Sequence, residues 1–226
     1  MEINDYDIFI IRTVSSDIIN YCYIIVDKAT NRAAIIDPSW ELTKFTQIVY
    51  SLKLIVDQIL LTHSHNDHVN LVSTLIEKFN PLIYMSKAEI DYYNFKCKNL
   101  QGLNDNEVLQ LGKTEYSCLL TPGHTVGSMC YLFKDSFFTG DTLFIEGCGY
   151  CDSAGSSPND MFFSINRIKK TVSDKVKVFP AHRFGAPVGQ SMLYVRKNNI
   201  YFIFDNVDQF VLFRMREVNK SSIHYL

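Results

Sequence analysis

Long apolar runs are missing from this chain of 226 residues. Stretches such as Phe9–Ile11 and Cys22–Val26 fall far short of the 18 or more residues that a membrane span needs, which excludes a transmembrane helix. There is no repeat of 20–50 residues, no low-complexity tract and no Gly/Ser linker, so no internal boundary is marked and a single domain over residues 1–226 is expected. Cysteine is sparse, with 6 residues in a chain large enough to stabilise itself by its core, which argues against a disulfide framework and for reduced thiols. Cys148 and Cys151 form a Cys-x-x-Cys, but no second pair completes a zinc site and no thioredoxin-like pattern flanks it. The opening Met-Glu-Ile-Asn-Asp-Tyr-Asp is acidic where a secretory signal is basic, so a cytoplasmic protein is expected.

Basic excess is missing too: the formal charge is −2, and no basic arm is inserted, which argues against a nucleic-acid partner. The balance is uneven along the chain. Residues 161–226 hold 11 Lys and Arg against 4 Asp and Glu, whereas residues 1–160 hold 11 against 20. A basic C-terminal surface suits an anionic partner.

What is present is a core-forming composition, 47% apolar and 20% charged, arranged as alternating strands and helices. Phe9–Val14, Tyr21–Val26 and Ala33–Ile36 read as strands, the last two joined by the polar turn 27–32. A helix over Glu41–Leu52, a strand at Gln58–Leu61, a helix over Val69–Phe79 stopped by Asn80-Pro81, and a strand at Leu82–Met85 follow. Further strands fit Tyr116–Leu120, Met129–Phe133, Ser136–Thr139, Lys177–Phe179 and Tyr201–Phe204, with helices near Asp160–Val172 and Asp205–Arg216. This pattern predicts an α/β (α+β) fold of sheets with helices packed outside.

Three of the six histidines fall within Thr62-His63-Ser64-His65-Asn66-Asp67-His68. At this chain's residue frequencies a His-x-His-x-Asp-His pattern arises by chance with a probability of roughly 3 in 10,000, so coincidence explains it poorly. Position strengthens it. The signature follows Gln58-Ile-Leu-Leu61, His124 follows Cys118-Leu-Leu-Thr-Pro-Gly123, Asp141 follows Phe137-Phe-Thr-Gly140, and His182 follows Val176-Lys-Val-Phe-Pro-Ala181. Each is an apolar strand that stops and presents a His or Asp as the backbone leaves the sheet, and the four ends are expected to meet on one rim. Imidazoles and carboxylates without thiolate suit Zn, and also Fe or Mn. Seven such residues are too many for one tetrahedral ion but suffice for two with a bridging carboxylate, a hydrolase arrangement. His224 is read as structural.

These residues resemble the metallo-β-lactamase superfamily, in order over most of the chain. The resemblance implies a four-layer αβ/βα sandwich with two metals at one edge of the sheets. It implies that His63, His65 and His124 hold the first metal, that Asp67, His68 and His182 hold the second, and that Asp141 bridges them. Gly140-Asp141-Thr142-Leu143-Phe144 followed by Gly147-Cys148-Gly149 is similar to the glyoxalase-II-like branch. Two departures stand out. Tyr150 occupies the position after Gly-Cys-Gly where glyoxalase II and the persulfide dioxygenases usually have Arg, and the 44 residues after His182 are too few for the glutathione-binding domain of glyoxalase II.

The stretch Glu146–Asp152 with Pro158, Met161 and Phe162, together with the tail from Ile200 to Arg216, resembles the zinc-dependent hydrolases of bacterial trans-acyltransferase polyketide pathways of the bacillaene type. That resemblance implies thioester hydrolysis on the phosphopantetheine arm of an acyl carrier protein. Asp67 would orient a metal-activated water and take its proton, and Tyr150, Phe162, Arg183 and Phe184 are candidate substrate contacts. Arg183, Arg196 and Lys197 are candidate carrier-docking residues. The alternatives are S-acylglutathione hydrolysis, and persulfide oxidation by a single iron held by His63, His124 and Asp141.

Overall fold

A computed structural model describes residues 5–216; His224 lies outside the described residues. The first half opens with β1 (Tyr6–Ser15), β2 (Ile18–Asp27) and β3 (Arg32–Ile36), then α1 (Leu42–Ser51) and β4 (Ile55–Leu60). It continues through α2 (Asn66–Val69), α3 (Val72–Phe79), β5 (Leu82–Ser86), α4 (Lys87–Tyr93) and β6 (Leu100–Leu103). The second half comprises β7 (Glu107–Leu111), β8 (Thr114–Leu120), β9 (Met129–Leu132), β10 (Ser136–Gly140), α5 (Pro158–Thr171) and β11 (Lys177–Pro180). It ends with β12 (Gln190–Ser191), α6 (Met192–Asn198), a 3-10 turn at Ile200–Ile203 and α7 (Val207–Arg214).

The strands form two six-stranded mixed sheets, one ordered β1 to β6 and the other ordered β12 to β7. Their continuous apolar runs have a physical cause: both faces of each sheet are covered. Along β2, Cys22, Ile24 and Val26 pack toward the helical face, while Tyr23 and Ile25 pack between the sheets. In β10, Phe137 and Phe138 divide in the same way. Three cores result: one under α1 and α3, one between the sheets, and one under α5, α6 and α7. These are the four layers of an α/β/β/α sandwich.

Two sequence expectations differ from the structure. The run Tyr201–Phe204 is a 3-10 turn rather than a strand, because Asn199 Oδ1 accepts from the Tyr201 amide and caps it. A short apolar run carries no periodicity that separates these outcomes. The helix expected over Val69–Phe79 is two helices, broken where Asn70 Oδ1 accepts from the Trp40 amide and the Leu71 amide donates to the Pro38 carbonyl. That break leaves Asn66–Val69 as a separate turn carrying Asp67 and His68.

Buried tyrosines tie one sheet to the other at the functional edge. Tyr131 Oη in β9 donates to the Leu61 carbonyl at 2.7 Å, and Tyr23 Oη in β2 donates to the Pro180 carbonyl. The Met129 amide donates to the Thr62 carbonyl at 2.9 Å. The loops that begin at Leu61 and Pro180 are thereby held from the opposite sheet.

Candidate metal centre

Strand direction brings the expected residues together. β3 and β4 are parallel, and β8, β10 and β11 share one direction through their antiparallel and parallel pairings. The carboxyl ends of β4, β8, β10 and β11 therefore open onto one edge and deliver His63, His124, Asp141 and His182. Gly140 adopts φ +48°, and a Cβ there would lie 2.4 Å from Thr62 Oγ1. Only glycine lets the Asp141 loop pass so close to the His63 loop.

His65 Nδ1 is 3.0 Å from His63 Nε2 and 3.1 Å from His124 Nε2. Beside this group, Asp67 Oδ2 is 3.4 Å from His68 Nε2 and 3.3 Å from His182 Nε2. Asp141 lies between the two groups. Its Oδ1 is 3.7 Å from His68 Nε2, and its Oδ2 is 3.5 Å from both His124 Nε2 and His182 Nε2.

The opposite ring nitrogens fix the tautomers. His124 Nδ1 and His182 Nδ1 each lie 2.8 Å from a backbone carbonyl, of Tyr150 and Ile19, which can only accept. Thr62 Oγ1 gives its proton to Asp37 Oδ2, so His63 Nδ1 donates to Thr62 Oγ1 at 3.1 Å. In the neutral rings each Nε2 therefore turns a lone pair inward, as metal ligation requires.

Burial pushes His63 well below the ordinary imidazole range, reinforced by its imidazole neighbours, and burial likewise lowers His65. Both rings are thereby kept as free bases, the form that can ligate a metal. Burial opposes charge on His68, but Asp67, Asp141 and Asp37 outweigh it and raise its pKa. The same contest raises His182, through Asp141 and Asp67. Asp67 is held below the carboxylate range, because His68, His182 and Asn20 outweigh its burial.

The donor set fits metal ions on an independent observation. His68 Nε2 and Asp141 Oδ1 are buried with no hydrogen-bond partner among the described residues. Such orphaned atoms cost about 1–3 kcal/mol each unless something binds them. Tetrahedral ligation at about 2.0–2.1 Å separates ligand atoms by about 3.3 Å, close to the spacings here. The ligand atoms form three overlapping groups: His63-His65-His124, His63-His68-Asp141 and Asp67-His68-His182. With three protein ligands, an ion keeps an open position for chemistry.

The sequence profile of the Metallo-beta-lactamase superfamily matches residues 17–183. The chain belongs to that superfamily. It is 50% identical over 216 residues to the "Probable polyketide biosynthesis zinc-dependent hydrolase PksB" of Bacillus subtilis (strain 168), covering 96% of each chain. It is 47% identical over 220 residues to the corresponding protein BaeB of Bacillus velezensis, covering 97% of this chain and 98% of that one. Among solved structures, ETHE1 from Myxococcus xanthus aligns with a TM-score of 0.81 at 25% identity, over 94% of this chain and 93% of that one. The two helix-flanked sheets are thus the metallo-beta-lactamase sandwich.

Around this superfamily centre the structure adds residues that sequence reading left out. Asp37 accepts from the Thr62 amide and hydroxyl and lies 2.9 Å from His68 Nδ1. Its signal was present, since it follows the strand Ala33–Ile36 and precedes Pro38, the same strand-end pattern as the ligands. Asn20 donates to the Asp67 carbonyl and to Asp67 Oδ2, both at 3.0 Å, and accepts from Trp40 Nε1 at 2.9 Å. The buried Glu89 accepts from the Ser64 amide and hydroxyl and from the Gly127 amide, joining two ligand loops. No local signal marks either residue.

The four candidate substrate contacts separate. Tyr150 and Phe184 line a cavity of about 230 Å³ next to the centre, which neither Phe162 nor Arg183 lines. Phe162 is packed in the core under α5 and α7, its ring 5.5 Å from that of Phe210. Arg183 turns its Nε to the Gly185 carbonyl at 3.2 Å.

Proposed function

We propose that the protein is a two-zinc hydrolase of polyketide biosynthesis that cleaves acyl thioesters carried on the phosphopantetheine arm of an acyl carrier protein. The observation that carries the reading is the second group, Asp67-His68-His182, standing beside the first with Asp141 between them. It favours two ions over one iron. The names of the two Bacillus relatives, similar over nearly their whole lengths, supply the metal and the biosynthetic setting.

His63, His65 and His124 would hold one zinc, Asp67, His68 and His182 the other, with Asp141 shared. When bound, the zinc pair lowers the pKa of a water molecule to near 7 and polarises the carbonyl to be attacked. Asp67 is the residue assigned to orient the attacking water and take its proton, with Asn20 fixing its carboxylate from one side. The leaving group needs no acid from the chain, because a thiol ionises at about 8.5 and departs as thiolate. Lys197 is exposed near the carboxyl end of α6, where an anionic carrier protein could dock. Free cysteines, including the buried pair Cys148 and Cys151, support a reducing, cytoplasmic setting.

The test is a substrate panel on metal-quantified protein: an acyl-carrier thioester, S-lactoylglutathione, a persulfide and a β-lactam. Two zinc per chain and fastest turnover of the carrier thioester are expected. One iron per chain with oxygen uptake on the persulfide would overturn the proposal.

A further inference from the structure

The cavity beside the metal centre is walled by Phe144, Tyr150, Phe184 and Ile200, and two guanidiniums, Arg214 and Arg216, complete it. Two of its lining residues touch the centre. The Tyr150 carbonyl accepts from His124 Nδ1, and the Phe144 ring lies 6.1 Å from the His182 ring. Its volume of about 230 Å³ matches the liquid volume of about eight water molecules, room for a short chain of atoms.

Arg214, at the end of α7, lies over the Tyr150 ring at 4.7 Å from its centroid, and its Nη1 donates to Tyr201 Oη at 2.9 Å. Its Nε is buried with no acceptor among the described residues. No Asp or Glu among the described residues forms an ion pair with Arg214 or Arg216. The thiols beneath do not offset the charge, because burial pushes Cys148 up strongly and Cys151 to about 11, leaving both neutral. Glu146 also borders the cavity, but its Oε1 is engaged by the Ala186 amide at 3.1 Å and the Tyr194 hydroxyl at 2.9 Å. A largely apolar recess thus holds a half-buried guanidinium that no carboxylate pairs with directly among the described residues, the Glu146 carboxylate at its border being held by the Ala186 amide and the Tyr194 hydroxyl instead.

We infer that this cavity is a subsite for a negatively charged oxygen group of the substrate, carboxylate or phosphate, that Arg214 binds with Arg216 next to it. Both groups match the guanidinium fork, and charge-assisted hydrogen bonds in a recess poor in water discriminate strongly against neutral analogues. The inference rests on the thioesterase reading. A carboxylate would lie on the acyl side and a phosphate on the pantetheine side.

Two matched pairs of thioesters separate these sources. Acetyl- and succinyl-N-acetylcysteamine differ in an acyl carboxylate, and acetylpantetheine and acetyl-4′-phosphopantetheine differ in the phosphate. In at least one pair the wild-type kcat/KM favours the anionic member by about tenfold or more, and Arg214→Gln abolishes that preference. The ratio within a pair cancels any general loss of active enzyme, which a purely structural role for Arg214 would cause. A ratio near one in both pairs for the wild type, or an unchanged ratio in the variant, overturns the subsite.

If no thioester is cleaved, the thioesterase reading fails separately. Calorimetric binding of succinate and of 4′-phosphopantetheine still decides the subsite: affinity lowered about tenfold by Arg214→Gln supports it, and absent or equal binding overturns it. Should Arg214→Gln fail to fold, Arg214→Lys and Arg216→Gln carry the same comparisons, and no change in either one overturns the subsite.

Discussion

Asp37 Oδ2 lies 2.9 Å from His68 Nδ1 in a site closed to solvent, and the same oxygen accepts the Thr62 hydroxyl proton. One carboxylate from the end of β3 therefore orients His68, a proposed ligand of the second group, and the residue that precedes His63. Asp37→Ala is expected to weaken zinc binding about 10- to 100-fold, chiefly at the second site. Competition with a chromogenic chelator measures this directly, and two unaltered affinities would refute the orienting role.

The proposed reaction assigns Asp67 both ligation and proton acceptance. Asp67→Ala is expected to lower kcat by about 10²- to 10⁴-fold on whichever substrate proves active, with the fold retained by circular dichroism. Full activity at equal zinc content would reject both roles.

Removing metal leaves lone pairs and carboxylates facing each other across a buried space. The protein dialysed against a chelator should melt at a lower temperature than the zinc-loaded protein. Adding zinc should restore Tm up to two equivalents per chain, as ligand linkage requires. Scanning calorimetry at increasing zinc checks both the sign and the stoichiometry.

Asp27 gives a pH prediction remote from the metals. Burial acts to raise its pKa, but hydrogen bonds from Thr30 and Thr114, at 2.6 and 2.7 Å, outweigh burial and lower it. A carboxylate depressed on folding stabilises the protein above its unfolded pKa of about 3.9, and that contribution is lost as pH falls through the folded value. Asp27→Asn should therefore cost about 1–3 kcal/mol at pH 7, and the gap from wild type should shrink below about pH 4. Urea melts of both proteins across that range test it.

Of the candidate docking residues Arg183, Arg196 and Lys197, the last two differ in their surroundings. Arg196 is engaged within the chain, its Nε 2.8 Å from Asp174 and its Nη2 donating to the Val172 carbonyl at 2.7 Å. Lys197→Glu should raise KM for an acyl-carrier thioester more than for a free pantetheine thioester, and more strongly at low ionic strength. Arg196→Glu should lower Tm as well. Equal effects of Lys197→Glu on both substrates would exclude docking there.

The clustered His and Asp residues and the alternation of strands were legible because their signals are local. Each ligand follows an apolar run ending at a turn, and a helix-stop or hairpin turn is written within a few residues. The two-faced burial of β2 likewise shows as a continuous apolar run. What only the tertiary structure decided are the pairings between distant segments. Asp37 meets His68 because β3 and β4 end at one edge, Arg214 covers Tyr150 because α7 packs on α5, and Phe162 is spent on the core rather than on the cavity. Aromatic and charged side chains look alike in sequence whether they face a cavity, a core or solvent. Their neighbours are set by how helices and sheets pack, through contacts across many residues that no local pattern encodes.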